Sequence, residues 1–535
     1  MLRARDVLIA CWMGHTLIAS NTRADEPVPS SAEKAAEAGN RFDIQEFRVL
    51  NNTVLSNRQV ESAIYPHEGP NKSFDDVQAA RADLEKAYRD AGYSTVYVDI
   101  PEQGVDTGII RLAVTEGRLE RVTVRGTRYF RNRRIVASLP SLEPGVVPHF
   151  PDVQKDLARL NQQSPDLSVA PILKPGQDPG SVDVDLKVKD TLPLHASLEL
   201  NDRYTANTSH ERLSANLSYG NLFQRGQTLA LQYQTAPQAS RDARVLGATY
   251  LAPLPTLDAT LALYAVKTDS DVATVGTLGV LGKGHVYGAR YILSLAPGSN
   301  LTPTLTFGSD LKKFNESVFL ESSPGLQTPI KYLNWSVAYG LSAYREHMST
   351  TFTITTNFGV RGLLNDPIEF ERKRFNAKAD YIYWHADASH VRPLPWGTEI
   401  ALRFAGQYSA EPLINNEQFA IGGVDSVRGY LEAEDLGDLG FETSIELRSP
   451  RLSSLFGIHA QEAYAYTFYD AGVANLIDPL PSQAARFDLQ GWGLGLRLAG
   501  FAGFDASLDW AHPLVGTANE SAHGSRIHFH IRYGF

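Results

Sequence analysis

One arginine of this chain demands a partner. Arg428 lies in Gly422-Gly423-Val424-Asp425-Ser426-Val427-Arg428-Gly429-Tyr430, a glycine-flanked run in a long loop between two segments that alternate apolar and polar residues. Glycines allow tight folding and close approach to a wall. A guanidinium pairs with a carboxylate and stacks on an aromatic face. Phe468 and Asp470 stand two apart on a later alternating segment, share one face, and offer both contacts. If that segment spans a membrane, the aspartate faces a polar interior rather than lipid, and Tyr464 and Tyr466 line the same wall. Gly491, Gly493 and Gly495 share a face of the next segment with Arg497 and would leave space for the loop. The bland alternative is a surface turn with a solvated arginine.

Bond-making chemistry is thinly represented. His67-Glu68 is not a zinc-protease helix because position 71 is Asn; Gly282-Lys283 lacks the spacing and the following Ser/Thr of a phosphate loop; and no Gly-x-Ser-x-Gly elbow occurs. His528 and His530 share a strand face, but beside Arg526 and Arg532 they read as ordinary polar-face residues, and Asp269-Ser270-Asp271 reads as a solvated turn. We therefore expect no catalytic residues, no metal and no cofactor.

Composition narrows the class. The 535 residues exceed one ordinary domain, and no uncharged run approaches the roughly 18–20 apolar residues of a membrane helix. Arg3 and Arg5 precede an apolar stretch from Val7 to Ala19, and Thr22-Arg23-Ala24 offers a small-residue exit, so residues 1–24 are expected to be a cleaved secretory signal. The single cysteine, Cys11, falls inside it, which leaves no disulfide for the mature chain. A formal charge of −10 argues against nucleic acid as partner, since affinity there comes chiefly from basic residues on phosphates.

Two periodicities divide the remainder. After a short N-terminal segment 25–41, residues 42–190 mix strands with helices: Phe42–Leu50, Ser94–Pro101 and Ile109–Val114 read as strands, and Ser73-x-x-Asp76 opens a helix with Val77, Ala80, Leu84, Ala87 and Tyr88 on one face. A second copy follows, with strand Leu119–Val124, a helix from Pro151 carrying Val153, Leu157 and Leu160, strand Val169–Leu173, and the alternating Val182–Val188. Two small α+β modules are expected, at 42–116 and 117–190.

From about 191 to 535 the helical period disappears. Segments of about ten alternating residues, such as Leu213, Ala215, Leu217 and Tyr219 against Ser214, Asn216 and Ser218, are separated by turn residues, as in a transmembrane antiparallel β-barrel. Candidate strands begin near 194, 211, 226, 243, 257, 283, 302, 330, 350, 373, 396, 438, 459, 487, 503 and 526, sixteen in all. The last alternates Ile527, Phe529, Ile531, Tyr533 and Phe535 with charged and His residues.

Val427-Arg428-Gly429-Tyr430 followed some forty residues on by Phe-x-Asp at 468–470 resembles the signature of two-partner secretion transporters and their barrel-assembly relatives in bacterial outer membranes. Residues 42–116 resemble a polypeptide-transport-associated (POTRA) domain in Ala91-Gly92-Tyr93, Pro101-Glu102-Gln103 and Val114-Thr115-Glu116-Gly117. The resemblance implies periplasmic modules, an outer-membrane barrel of sixteen strands, and a loop 411–437 folded into the lumen, where Arg428 meets Asp470. It also implies that the terminal Ile531, Tyr533 and Phe535 are read by the barrel assembly machinery. Two modules favour a transporter of the haemolysin secretion and activation type, exporting one large secreted β-helical partner. The alternatives are an insertase for other barrels and, further off, a barrel lipid hydrolase. Family members often carry a plug helix, but Ser31–Ala38 would make two turns, about 12 Å, too short to fill a bilayer-deep pore.

Overall fold

A computed structural model describes residues 41–535 except 207, 241–242, 271, 276–277, 297–300, 316, 319–325, 346–347 and 454–459. The expected signal with Cys11 and the helix at 31–38 lie outside the described residues. The chain forms two compact units that meet in sequence at Leu192 and Pro193.

The first unit contains two similar modules. In the first, Glu46–Leu50 pairs in parallel with Ile109–Glu116, which pairs antiparallel with Val96–Asp99. Helices Asn57–Ile64 and Phe74–Asp90 pack Val60, Ile64, Val77, Ala80, Leu84 and Tyr88 against that sheet. The Ser73 cap works as expected, its N–H donating to Asp76 Oδ2 at 2.8 Å. Two details differ from expectation. The strand expected at 42–50 breaks after Ile44, because Phe42–Ile44 pairs instead with Gly69–Lys72. The helix 57–64 has no periodic signal in the sequence, because only Val60 and Ile64 mark its buried face, too few to set a period.

The second module repeats the arrangement. Arg118–Arg125 lies parallel to Ser181–Asp190, which lies antiparallel to Leu167–Pro175, with helices Asn132–Ala137 and Phe150–Gln163 supplying Ile135, Val153, Leu157 and Leu160 to the core. Asp190 closes the module by accepting the backbone N–H groups of Arg128, Tyr129 and Phe130 at 2.6–3.0 Å.

The second unit is a closed antiparallel barrel of sixteen strands. Alternation sorts its faces: Leu217, Phe441, Ile445 and Leu447 are exposed on the outside, whereas Arg212, Ser214, Glu442 and Ser444 are buried within. Fifteen of the sixteen strands begin within three residues of the expected position. The tenth is the exception, starting at Ile382 rather than 373. Residues before it form the helix Pro367–Lys373, started by Asp366, whose side chain accepts from Ile368 N at 2.9 Å, with Pro367 in the first turn.

Candidate functional site

The loop between strands Glu399–Ser409 and Leu439–Arg448 turns inward as a ribbon. Phe419–Ile421 pairs antiparallel with Asp435–Gly437, and residues 422–434 form its tip. Gly422, Gly423 and Gly429 take φ values of 98°, 114° and 100°, a region open to glycine at little cost. Gly423 N–H donates to Val427 O at 3.2 Å and Ser426 N–H to Gly423 O at 3.1 Å, which tightens the turn and presents Arg428.

Arg428 is 3% exposed and Asp470 0%. The guanidinium grips the carboxylate with two parallel bonds, Nε to Oδ2 at 2.7 Å and Nη2 to Oδ1 at 2.8 Å, while the Arg428 backbone N–H reaches Oδ2 at 3.1 Å. Its remaining donors go to Glu446 Oε1 at 2.8 Å and Ser444 Oγ at 3.0 Å. The Phe468 ring centroid stands 3.5 Å from the Arg428 Cζ, a stacked cation–π contact. Register explains the convergence, because Ser444 lies opposite Asp470 and Glu446 opposite Phe468 across strand twelve (Leu439–Arg448) and strand thirteen (Glu462–Asn475).

The glycine face of strand fourteen (Arg486–Phe501) makes the room. Gly491 lies opposite Asp470, and a Cβ there would stand 2.4 Å from the Arg428 carbonyl oxygen. At Gly493 a Cβ would meet the Phe468 ring at 2.5 Å, and at Gly495 the Tyr466 ring at 2.3 Å. Tyr464, Tyr466 and Phe468 are all buried, as the shared parity suggested. Val427 is fully buried with Phe419, Ile421 and Tyr430, and the Tyr430 hydroxyl lies 2.8 Å from the carbonyl oxygens of both Gln490 and Val515.

Further partners carry no signal in the sequence. Glu446 and Ser444 belong to the Arg428 cradle. His528 does more than line the polar face: its Nε2 accepts the Gly429 N–H at 3.1 Å and its Nδ1 lies 2.9 Å from Asp202 Oδ2. His530 takes a different partner, Glu199, at 3.5 Å. The base of the loop has its own anchors. Buried Glu417 binds Lys312 Nζ at 2.5 Å together with the hydroxyls of Tyr332 and Tyr383. Asp438 binds Arg374 and accepts the N–H groups of Leu413 and Ile477 at 2.9 and 2.7 Å. At the chain end, Ile531, Tyr533 and Phe535 point outward and are exposed, and Phe535 exchanges backbone bonds with Ala196 at 3.1 and 3.2 Å.

Such a site can hold, release and gate. Within it the Arg428 charge is met by the carboxylates of Asp470 and Glu446.

Known proteins agree with this architecture. Residues 180–498 match the family described as haemolysin secretion/activation protein ShlB/FhaC/HecB, and residues 42–117 match the ShlB-type POTRA domain. Outer membrane transporter CdiB of Dickeya dadantii (strain 3937) is 24% identical over 432 residues, covering 77% of this chain and 73% of that protein. The CdiB of Escherichia coli O6:K15:H31 is 23% identical over 425 residues, covering 77% and 70%. Among solved structures, CdiB from Escherichia coli superposes with a TM-score of 0.65 at 19% identity, covering 95% of this chain and 93% of that one. BamA from Haemophilus ducreyi lacking POTRA domains 1–3 gives 0.57 at 15% identity, covering 92% and 100%. The structural likenesses establish the fold alone. Transporter and assembly protein share it, so the family match separates them.

Proposed function

Since the chain belongs to the haemolysin secretion/activation protein family, we propose that its barrel is the export pore for one cognate partner and that loop 411–437 is the gate. The protein is an outer-membrane transporter of the two-partner secretion type, with its N-terminal POTRA domains in the periplasm and a large secreted protein as its cargo. The single observation behind the gating role is the ribbon itself, which occupies the lumen and is tied to the wall through Arg428 and Asp470. On this reading the docked loop must leave the wall before a polypeptide passes.

Export is binding and movement. Val427, Arg428, Gly429 and Tyr430 form the lock, and Phe468 and Asp470 are its receptors in the wall. The two POTRA domains span 42–116 and 117–190, and the barrel follows from 191. Capture of an unfolded, β-helix-forming partner falls to the sheet edges of the modules. Val96–Asp99 and Leu167–Pro175 each pair on one side only, and an added strand would gain sequence-tolerant backbone bonds there. The outward Ile531, Tyr533 and Phe535 serve recognition by the barrel assembly machinery and contact with outer-membrane lipid. No catalytic step, cofactor or metal enters this mechanism.

A tether tests the gate. Val427 packs against Gly472 on strand thirteen, where an added Cβ would lie 2.9 Å from Val427 Cγ2. With Val427→Cys and Gly472→Cys, and Arg428 and Asp470 untouched, oxidation should stop export and reductant should restore it. Export at the untethered rate through the oxidised protein would remove loop movement from the mechanism.

A further inference from the structure

A row of basic side chains crosses the outward face of the barrel. Strand one follows the second POTRA domain, so odd-numbered strands run from the periplasm to the exterior and even-numbered strands return. Strand five (Ala259–Thr268) and strand seven (Leu301–Phe314) therefore end outside, and strand six (Gly284–Ser294) and strand eight (Ile330–Arg345) begin there. At that end Lys267 lies opposite His285, His285 opposite Lys313, and Lys313 opposite Lys331, an unbroken row over four neighbouring strands. With about 4.8 Å between strands the row is about 14 Å wide. Alternation turns it away from the lumen: the chain neighbours Val266, Val286, Phe314 and Tyr332 are buried inside, whereas Lys267, Lys313 and Lys331 are exposed.

Other cations at this end of the barrel have partners. Arg244 binds Asp269 through Nε and Nη2 at 3.1 and 2.9 Å, Lys312 turns inward to Glu417, and Lys378 pairs with Glu411. Among the described residues, no carboxylate lies within ion-pair distance of the ammonium groups of Lys267, Lys313 and Lys331. Glu369 reaches the end of the row, but its Oε2 accepts the Lys331 backbone N–H at 2.9 Å. His285 fills the second place with its ring stacked on Tyr287, centroids 6.4 Å apart. Lys313 and Lys331 face each other directly, a pairing of like charges that destabilises a sheet unless an anion bridges it.

One step toward the membrane centre the chemistry changes. Ala265, Tyr287, Leu311 and Leu333 form the next row in the same register, about 6.6 Å along the strands, and Leu263 and Phe307 lie exposed below them. The lysines thus stand where the apolar band meets the headgroups of the outer leaflet, with stems along apolar surface and ammonium groups raised to the polar side. Charge is not general at that level. On strand ten (Ile382–Pro393), strand eleven (Glu399–Ser409) and strand twelve the exposed residues near the outer end are Ile382, Tyr408 and Phe441.

We propose that Lys267, His285, Lys313 and Lys331 form a docking site for lipopolysaccharide, the phosphorylated, acylated glycolipid of the outer leaflet. Its phosphates lie across the ammonium groups, His285 supplies a ring N–H between them, and its acyl chains run down over Tyr287, Leu311 and Leu333. Free phosphate offers charge without chains, and a phospholipid offers chains with a single phosphate. Several phosphates on one acylated sugar core match a basic row set above an apolar wall. Each lysine beside an anionic lipid surface is worth about fivefold in affinity, so three together are worth on the order of a hundredfold.

Native mass spectrometry of the full-length protein in neutral detergent, titrated with purified lipopolysaccharide, tests the site, with heat-modifiable migration confirming a folded barrel in each variant. The neutral variant Lys267→Gln/Lys313→Gln/Lys331→Gln should bind the lipid about a hundredfold more weakly, and Lys267→Arg/Lys313→Arg/Lys331→Arg should keep the wild-type affinity. Dephosphorylated lipopolysaccharide should bind the wild-type protein as weakly as intact lipid binds the neutral variant, and should lose nothing further on that variant. Arg486→Gln, which removes a cation from the outer end of strand fourteen, should leave binding unchanged. Wild-type affinity in the neutral variant overturns the site, and a loss as large in Arg486→Gln traces the affinity to overall charge and overturns it too. Phosphatidylglycerol or inorganic phosphate binding as tightly, with the same dependence on the row, would show attraction to any anion and overturn the docking of this lipid. Export is no part of the readout, so the transporter reading is tested separately.

Discussion

Replacing Arg428 by Ala removes four side-chain hydrogen bonds, two of them a bidentate grip on a carboxylate of zero exposure, and the face contact with Phe468. Breaking a buried ion pair by deleting one member costs about 3–5 kcal/mol, because the remaining charge keeps its desolvation penalty. The lost cation–π contact adds about 0.5–2 kcal/mol. Against this, the backbone N–H of residue 428 still reaches Asp470, and water entering the lumen solvates the orphaned carboxylate. A net loss of about 3–5 kcal/mol in docking shifts the docked-to-free equilibrium by roughly two to four powers of ten. Val427 reports that equilibrium, since it is fully buried when the loop is docked. With Val427→Cys as the reporter, the labelling rate by an impermeant maleimide should rise by about 10²–10⁴ in the Arg428→Ala background, provided opening and closing outpace labelling. Arg428→Lys should fall between, because it keeps the charge and loses the fork. A rise below about threefold, the size of an ordinary surface substitution, would refute the view that this pair holds the loop.

Three further outcomes follow from other parts of the molecule. Gly491→Ala places a Cβ 2.4 Å from the Arg428 carbonyl oxygen, a backbone atom that cannot swing aside, so it should undock the loop without touching any charge, seen as faster labelling at Val427→Cys. Asp190 tests the second module by pH: burial pushes its carboxyl up, but the N–H groups of Tyr129, Arg128 and Phe130 outweigh this and hold it below the usual carboxylate range. A depressed folded pKa gives stability that is present above the unfolded value near pH 3.9 and lost as pH falls through the folded one. Exchange protection in 117–190 should therefore fall on acidification below about pH 4, and Asp190→Ala should flatten that dependence. Deleting Phe535, whose backbone pairs with Ala196, should reduce the heat-modifiable barrel recovered from outer membranes, and an unchanged yield would count against a terminal assembly signal.

The barrel was legible because lipid and lumen impose a period of two, so runs such as Leu213–Tyr219 declare both strand and face. The failures have local causes. At the tenth strand, Asn365-Asp366-Pro367 announces a helix start, and alternation by itself does not register it. At 57–64 two apolar residues were too few to register as a period. Arg428, Phe468 and Asp470 can be associated from residue type and parity, because each lies within a short motif. Glu446 and Ser444 cannot, since their place opposite Phe468 and Asp470 depends on interstrand register. Asp202 and His528 were further out of reach: separated by 326 positions, they meet only because the barrel closes. For His528 the sole signal was its parity on a lumen-facing strand, which shows where the side chain points and nothing of what it holds.

Export of a partner tests the account most directly. The gene for this chain, intact or deleted, should be expressed beside that of a large secreted protein encoded next to it, and the partner measured in periplasm, on the cell surface and in the medium, together with the abundance of other outer-membrane barrels. The account requires that the partner reach the exterior only with the intact chain, that deletion strand it in the periplasm, and that other barrels keep their normal levels. A partner exported equally well without this chain, with other barrels depleted, would contradict the transporter reading and point to an assembly protein.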